Sequence, residues 1–333
     1  MSPILTIYIP TYNRYLKLKD CMDIICQQIK GHEAEVLVVV SNNNSTDNTF
    51  KYLESLKFPW LMKQHNFKNI GGAANIAKCY SLPVQSKFIW PIGDDDYLMP
   101  GAISGILELI EKFPTADYIF CNTKAFPVEQ SLDIMKAYNT TGLVEGGNVK
   151  SNKYIGTDIV DFGSLIDPAI ADTLLGELMC NCFRQSAVKL HDDGKINWNF
   201  EEFNFEKVDI ESIGNHCQVH NLAFLQSFKI STKSVYCDTV RTFNFWGSAE
   251  WLNEYDFVFP IIILYLIKQY KARGFISNEK FFELLNYYYL VMKNSLTRQV
   301  EGTSKARPFS DSIKAEMFET AILHMNHKSV LAG

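Results

Sequence analysis

No Cys-x-x-Cys pair occurs in this 333-residue chain, although it holds eight cysteines, at 21, 26, 79, 121, 180, 182, 217 and 237. That scatter argues against a zinc ribbon and against a disulfide framework, and it fits reduced thiols in a cytoplasm. A basic excess is also missing. Thirty-two Lys and Arg stand against 37 Asp and Glu, a formal net charge of -5, so there is no general stripe of positive charge for nucleic acid. The opening MSPILTIYIPTYNR lacks a basic stretch followed by an apolar core and a small-residue cleavage site, and secretion is not expected. The longest greasy run, FVFPIIILYLI from 257 to 267, contains Pro260 and falls well short of the ~20 residues that span a bilayer. A core helix is its first reading and an interfacial helix, touching the inner membrane face peripherally, the second. There is no G-x-x-x-x-G-K-[ST] and no G-x-G-x-x-G after a strand, which lowers the kinase, ATPase and dehydrogenase readings.

What is present is apolar surface and order. Hydrophobic residues make up 47% of the chain, enough for a substantial core. Through residue 125, β-rich runs (5–10, 34–41, 60–65, 87–92 and 117–122) alternate with stretches of helical apolar spacing. This is an α/β pattern, which predicts a mostly parallel sheet with helices on both faces and ligands beyond the carboxyl ends of the strands. Polar clusters fall at those ends: PTYNR, SNNNSTDNT, NFKNIGGAAN and GDDD. From about 126 the alternation gives way to a segment punctuated by Gly, Asn and Ser, read as connecting or substrate-covering. A mixed region follows to 245, and a helical, aromatic-rich tail runs from 246 to 333, whose apolar faces serve packing first, an oligomer contact or a membrane surface second.

Asp94, Asp95 and Asp96 follow Gly93 at the end of an oily strand. Three adjacent carboxylates repel one another and raise each other's pKa, so stability does not explain them. The group suits a hard divalent cation, Mn2+ or Mg2+, which takes one or two carboxylates and fills its shell with water and phosphate. The plain alternative is a solvated acidic turn. For Asn42 and Asn43 the plain alternative is an Asx turn. For Arg14 it is a cap on the first loop, and for Arg241 a surface ion pair.

Taken together, IPTYNR, VVVSNNNSTDNT, NIGGAANI and FIWPIGDDDYLMPGAI, in this order, resemble the nucleotide-sugar glycosyltransferases of family 2. The resemblance implies a GT-A fold, a Rossmann-like sheet followed by a mixed acceptor region and a helical tail. It implies a nucleotide-sugar-binding half over 1–125, an acceptor-binding and catalytic half over 126–245, and a helical region over 246–333. Pro10, Thr11, Tyr12 and Asn13 would cradle the base, with Arg14 and Arg241 as phosphate contacts and Asn69 and Gly71 in the Gly-rich stretch. Asp94, Asp95 and Asp96 would bind ribose and metal. Relatives usually carry an acid before STD where this chain has Ser41, Asn42, Asn43 and Asn44. An Asn amide still accepts from a base, without charge assistance. The implied activity is inverting transfer from a nucleoside-diphosphate sugar, a UDP-sugar first, to a hydroxyl of a bacterial glycan or lipid-linked acceptor.

The general base is sought in the second half. A helix over 206–224 would place Ile210, Ile213, Cys217 and Phe224 on one stripe, with Asp209, His216 and His220 along its edge. Asp209 is the first choice, with Glu202 and His216 behind it; an Asp–His surface pair is the plain alternative. Two other functions remain open. A sugar-phosphate nucleotidyltransferase would need a Gly-rich basic loop where PTYNR stands, and a non-catalytic binding module would show a broken acid trio.

Overall fold

A computed structural model describes residues 2–154, 156–191, 196, 198, 203–246 and 254–332. The chain divides into two compact units, residues 1–190 with 226–248, and residues 191–225 with 249–333. The first begins with β1 (Leu5–Thr11), α1 (Tyr15–Gln28), β2 (Val36–Asn42), α2 (Thr49–Ser55), β3 (Leu61–His65), α3 (Gly72–Ala77) and β4 (Phe88–Pro91). It continues with β5 (Tyr97–Leu98), α4 (Ala102–Lys112), β6 (Tyr118–Pro127), α5 (Ser131–Thr141), β7 (Asn148–Val149), β8 (Asp158–Asp161) and β9 (Asn181–Arg184). The second unit holds α6 (Ile210–Cys217), and α7 (Val219–Ser227) carries the chain back to the first, where β10 (Lys233–Trp246) completes the sheet.

The strands order as β3-β2-β1-β4-β9-β6-β10-β5, with β7 paired to β6 and β8 to β10. β3, β2, β1 and β4 are mutually parallel, as are β6 and β10, while β9 runs antiparallel between β4 and β6. β2 explains the pattern: Val36, Val38, Val39 and Val40 are buried, and a continuous β-branched run suits a strand covered on both faces. α4 buries Ala102, Ile103, Ile106, Leu109 and Ile110 and exposes Glu108 and Glu111. Its single apolar stripe is what a helix laid on a sheet requires. Parallel pairing aligns strand ends, so Thr11 stands opposite Asn42, and Asn42 opposite His65. The four polar clusters therefore share one rim.

The segment after 126, read as connecting or substrate-covering, contains α5, β7 and β8, and residues 125 and 126 both lie in β6. The single helix expected over 206–224 is two helices. α6 starts only at Ile210, because Asp209 is its N-cap and accepts from the Ser212 N–H, and the turn breaks at Gln218 (φ -118°, ψ 37°) before α7.

The second unit goes on with α8 (Tyr255–Ala272), α9 (Asn278–Val300) and α10 (Asp311–Ala332). The greasy run lies in α8, where Phe257, Ile261, Ile263, Leu264, Leu266 and Ile267 are buried. It is thus a core helix, and among the described residues no helix is long and apolar enough to cross a membrane. α6 and α8 approach closely at Gly214: a Cβ there would stand 2.1 Å from Cγ of Tyr265, whose hydroxyl donates to Asn215 Oδ1 at 2.6 Å. An aromatic ring held at both ends cannot step aside. Gly214→Ala should therefore destabilise the protein by about 2 kcal/mol or more, the overpacking cost exceeding the ~1 kcal/mol that Ala gains over Gly in a helix. Denaturant unfolding would show it, and a stabilised variant would contradict the packing described.

Candidate functional site

The site begins with the charges at the end of β4. Thr11, the last residue of β1, donates its hydroxyl to Asp94 Oδ2 at 2.6 Å. Arg14, one turn of loop later, places Nη1 3.0 Å from Asp94 Oδ1 and 3.0 Å from Asp95 Oδ2, and Lys17 in the first turn of α1 reaches Asp95 at 3.2 Å. Two cations thus answer two of the three acids. Asp96 turns back instead, accepting from the Gly93 N–H at 2.6 Å and from the Asn244 side chain. Gly93 leaves space for this: a Cβ on it would stand 2.9 Å from an Asp96 oxygen and 3.1 Å from an Asp95 oxygen. Burial raises the Asp94 carboxyl to about 6 despite Arg14. Burial and then the Asp95 charge raise Asp96 to about 7.

Whether these acids fit a divalent cation follows from the same geometry. Among the described residues no group of three His, Cys, Asp or Glu is arranged to hold a metal, and Asp94 is engaged by Thr11 and Arg14. Asp95 turns Oδ1 to the same side of Gly93 as the Asp96 carboxylate, and two neighbouring carboxylates are the donor set that a Mg2+ or Mn2+ takes, with phosphate and water filling the rest of its shell.

The β2 and β3 ends are built from amides. Asn43 is 2% exposed and has both ends of its side chain engaged: Nδ2 donates to Asn69 Oδ1 (2.7 Å) and Gly71 O (3.2 Å), and Oδ1 accepts from Asn66 Nδ2 (2.9 Å) and Ile70 N (3.0 Å). Asn75 joins from α3, donating to Ser41 O and accepting from the Ser41 hydroxyl. Asn42 Oδ1 accepts from Ser45 N at 3.0 Å, and its Nδ2 meets His65 Nδ1 at 3.1 Å. Asn42 thus ties the backbone at Ser45 to the end of β3, and Asn43 pins the 66–71 loop. Asn69 and Gly71 (φ 86°) belong to the same knot.

The β1 loop faces solvent. Pro10 is half-buried, whereas Tyr12 is 41% exposed. Asn13 and Asn44 take left-handed backbone, φ 53° and 60°, which Asn tolerates better than most residues. Asn13 N donates to Ser45 Oγ, Thr46 N donates to Asn13 Oδ1, and Tyr15 N donates to Asp47 Oδ2. The loops after β1 and β2 are thereby fastened together.

The remaining expected residues lie elsewhere. Arg241, in the bulge of β10 between Cys237 and Thr242, donates Nε–H to Cys237 Sγ at 3.4 Å and lays its guanidinium on Gly105 of α4, where a Cβ would meet it at 1.9 Å. It is packed rather than presented. Asp209 is exposed and caps α6, so the desolvated edge expected for it is not there. His216 is buried, its ring 5.6 Å from Phe203 at 80°. Glu202 lies outside the described residues. Reading by motif missed Lys17, one turn beyond Arg14, and Thr11 as a partner of Asp94. The i, i+3 spacing of Arg14 and Lys17 across a helix start was the available signal.

Residues 6–163, just under half of the chain, match the family model described as Glycosyl transferase family 2. The resemblance read from the motifs is thus met over that span. Chondroitin synthase of Pasteurella multocida strain Pm70 is 27% identical over 137 residues, 41% of this chain and 14% of that protein. Colanic acid biosynthesis glycosyl transferase WcaA of Escherichia coli K12 is 26% identical over 122 residues, 36% of this chain and 43% of that one. The matched stretches span less than half the length of these relatives. Among solved structures, S. aureus TarS 1–349 in complex with UDP-GlcNAc aligns with TM-score 0.51 and 14% identity over 88% of this chain and 79% of that one. Mannosyltransferase PcManGT from Pyrobaculum calidifontis, in complex with GDP-Man and Mn2+, gives TM-score 0.50 and 10% identity over 100% and 81%. At such identities the likeness concerns fold, and the fold is the expected GT-A α/β type.

Two outcomes follow from the charges and the amides. Asp94 and Asp96 have folded pKa values above the unfolded 3.8, so below about 7 the folded chain holds protons that the unfolded chain has released. Their contribution to stability should therefore grow as pH falls from about 8 to about 5. Asp96→Asn should raise the melting temperature at pH 8 and flatten that slope; an unchanged slope in chemical denaturation would contradict the assignment. Asn43→Asp sets an oxygen against the carbonyl oxygens of Asn69 and Gly71, and should cost about 2 kcal/mol or more in unfolding free energy. A stability equal to that of the parent protein would place the amide knot in doubt.

Proposed function

We propose that the chain is a glycosyltransferase, that its first unit binds a nucleoside-diphosphate sugar on the rim of β1–β4, and that the sugar passes with inversion to a hydroxyl of a glycan or lipid-linked glycan. The observation that carries the reading is the acid trio at the end of β4, with Asp94 and Asp96 buried and Asp95 half-buried, only partly neutralised, and lying within the span that matches family 2. Charges left uncompensated in a folded protein persist where a ligand completes them. The donor is read as a UDP-sugar first, in line with the UDP-GlcNAc bound by the fold neighbour TarS.

Tyr12, exposed at the end of β1, offers its ring as a stacking surface for the base. Arg14 holds Asp94 and Asp95 in place and shares its positive charge with the donor side of the rim. When bound, a Mg2+ or Mn2+ on Asp95 and Asp96 supplies charge neutralisation for a diphosphate leaving group. The acceptor hydroxyl attacks the anomeric carbon opposite the departing diphosphate: the new C–O bond forms as the bond to the phosphate oxygen breaks, and the hydroxyl proton goes to a carboxylate base. Asp209 is the proposed base: the cap engages Oδ1 alone, and the exposed side chain leaves its second oxygen to solvent and to an acceptor hydroxyl. A cytoplasmic place, peripheral on the membrane, completes the reading. The nucleotidyltransferase alternative gains no support from the loop after β1, whose arginine is engaged with acids.

Purified protein mixed with UDP-, GDP-, CDP- and dTDP-sugars should release nucleoside diphosphate from at least one, more with Mn2+ than with EDTA. Asp209→Asn keeps a good helix cap and should lower turnover at least ~100-fold with the melting temperature unchanged. Release of pyrophosphate instead of nucleoside diphosphate, or full turnover with Asp209→Asn, would overturn the reaction or the base respectively.

A further inference from the structure

One ion cluster on the same rim has no part in the site as described above. Lys150 Nζ lies 2.5 Å from Glu177 Oε1 and 2.5 Å from Asp172 Oδ1. The register of the sheet fixes where this cluster stands. In the antiparallel pair of β4 and β9, Ile89 faces Phe183, so residues preceding β9 continue past Pro91 towards Gly93 and the acid trio. The Trp90 indole N–H, donating to Met179 O at 2.8 Å, holds that course. On the other side β9 pairs Asn181 with Phe120, while Lys150 N donates to Thr123 O, which brings Lys150 alongside residues 177–178. The Glu177 charge is accordingly felt at Asp96.

We infer that the Lys150–Glu177 pair recognises hydroxyl groups of the sugar carried by the donor. This rests on the donor reading above. A sugar bound through its diphosphate beside Asp95 and Asp96 would meet this pair. An ammonium offers only donors and a carboxylate only acceptors, and neighbouring ring hydroxyls, each both donor and acceptor, complement the two together. Glu177 and Lys150 keep 24% and 14% of their side-chain surface exposed, so the pair is ordered yet reachable. Burial alone would lower the Lys150 ammonium, and the two carboxylates more than offset it, keeping the lysine charged. The backbone of Glu177 is held independently, its carbonyl accepting from Asn181 Nδ2 and from Cys180 N. Replacing the side chain therefore leaves the chain path in place. A merely structural latch, joining the segment around 150 to the rim, is the competing account.

The two accounts part on what the sugar adds to nucleotide affinity. Calorimetric titrations in Mn2+ would compare UDP with UDP-glucose and UDP-N-acetylglucosamine, and GDP with GDP-mannose, on the parent protein, Glu177→Gln and Lys150→Met. For the preferred donor, the parent should bind the sugar conjugate at least ~10-fold more tightly than the bare diphosphate, a hydroxyl-reading increment of ordinary size. Both variants should lose that increment while keeping affinity for the bare diphosphate within about threefold. Equal loss for diphosphate and conjugate would assign the pair to a latch and overturn the inference. So would an intact increment accompanied by a raised KM for acceptor, which would make the acceptor its ligand. A parent protein that binds none of the diphosphates would remove the proposed function itself, before any variant is made.

Discussion

Arg14 is the constraint on which the rim depends. A single guanidinium nitrogen lies 3.0 Å from carboxylates of both Asp94 and Asp95, and without it two adjacent acids, one of them nearly inaccessible, would face each other across a low-dielectric space. Because Arg14 follows β1 and the acids follow β4, the same contact ties the first loop of the chain to the strand beside it in the sheet. Thr11 reinforces the tie from the last position of β1. The bridge stops one residue short, and Asp96 is left to dipoles, the Gly93 N–H and the Asn244 side chain.

The β2–β3 side of the rim solves a different problem with different chemistry. There the loops are long and must be shaped without secondary structure, and neutral amides do it: Asn43 alone engages Asn66, Asn69, Ile70 and Gly71. An amide carries both donor and acceptor, so it can serve two loops that expose opposite groups, which a carboxylate cannot. The amides at 42 and 43, which in the sequence bear on nucleotide recognition, also hold the rim together in the fold. Asp47 stays acidic because what it meets are N–H groups, those of Tyr15 and Thr49.

Most of the first 125 residues were legible in the chain alone. Runs such as VLVVV and amphipathic stretches such as AISGILELIEK answer to burial on one or two faces, a local property that periodicity records. The placement of Asp94 at a strand end came through for the same reason. What did not come through depends on partners distant in sequence. Nothing near Asn43 announces that Asn66 and Ile70 will take up its amide. Asp209 reads as an acid on a helix edge until Ser212 N is seen to need a cap, and Arg241 reads as a free cation until Gly105 is seen to leave it a seat. The insertion of β9 between β4 and β6 was equally hidden, since its pairing spans some ninety residues on one side and sixty on the other.

That insertion bears on how the chain reaches its fold during synthesis. β1, β2, β3 and β4 can assemble as soon as they are made, for their partners lie within the first ninety residues. The far edge of β4 then waits for Phe183, and β6 waits both for β9 and for β10, whose last residue is Trp246. Until then two apolar strands present unpaired N–H and C=O groups, the condition that invites association between nascent chains. A fragment cut at the end of the family match, residue 163, would keep the acid trio yet carry those edges permanently, open to association between chains. The portion of sequence that matches the family model is thus smaller than the portion whose strands pair into one sheet.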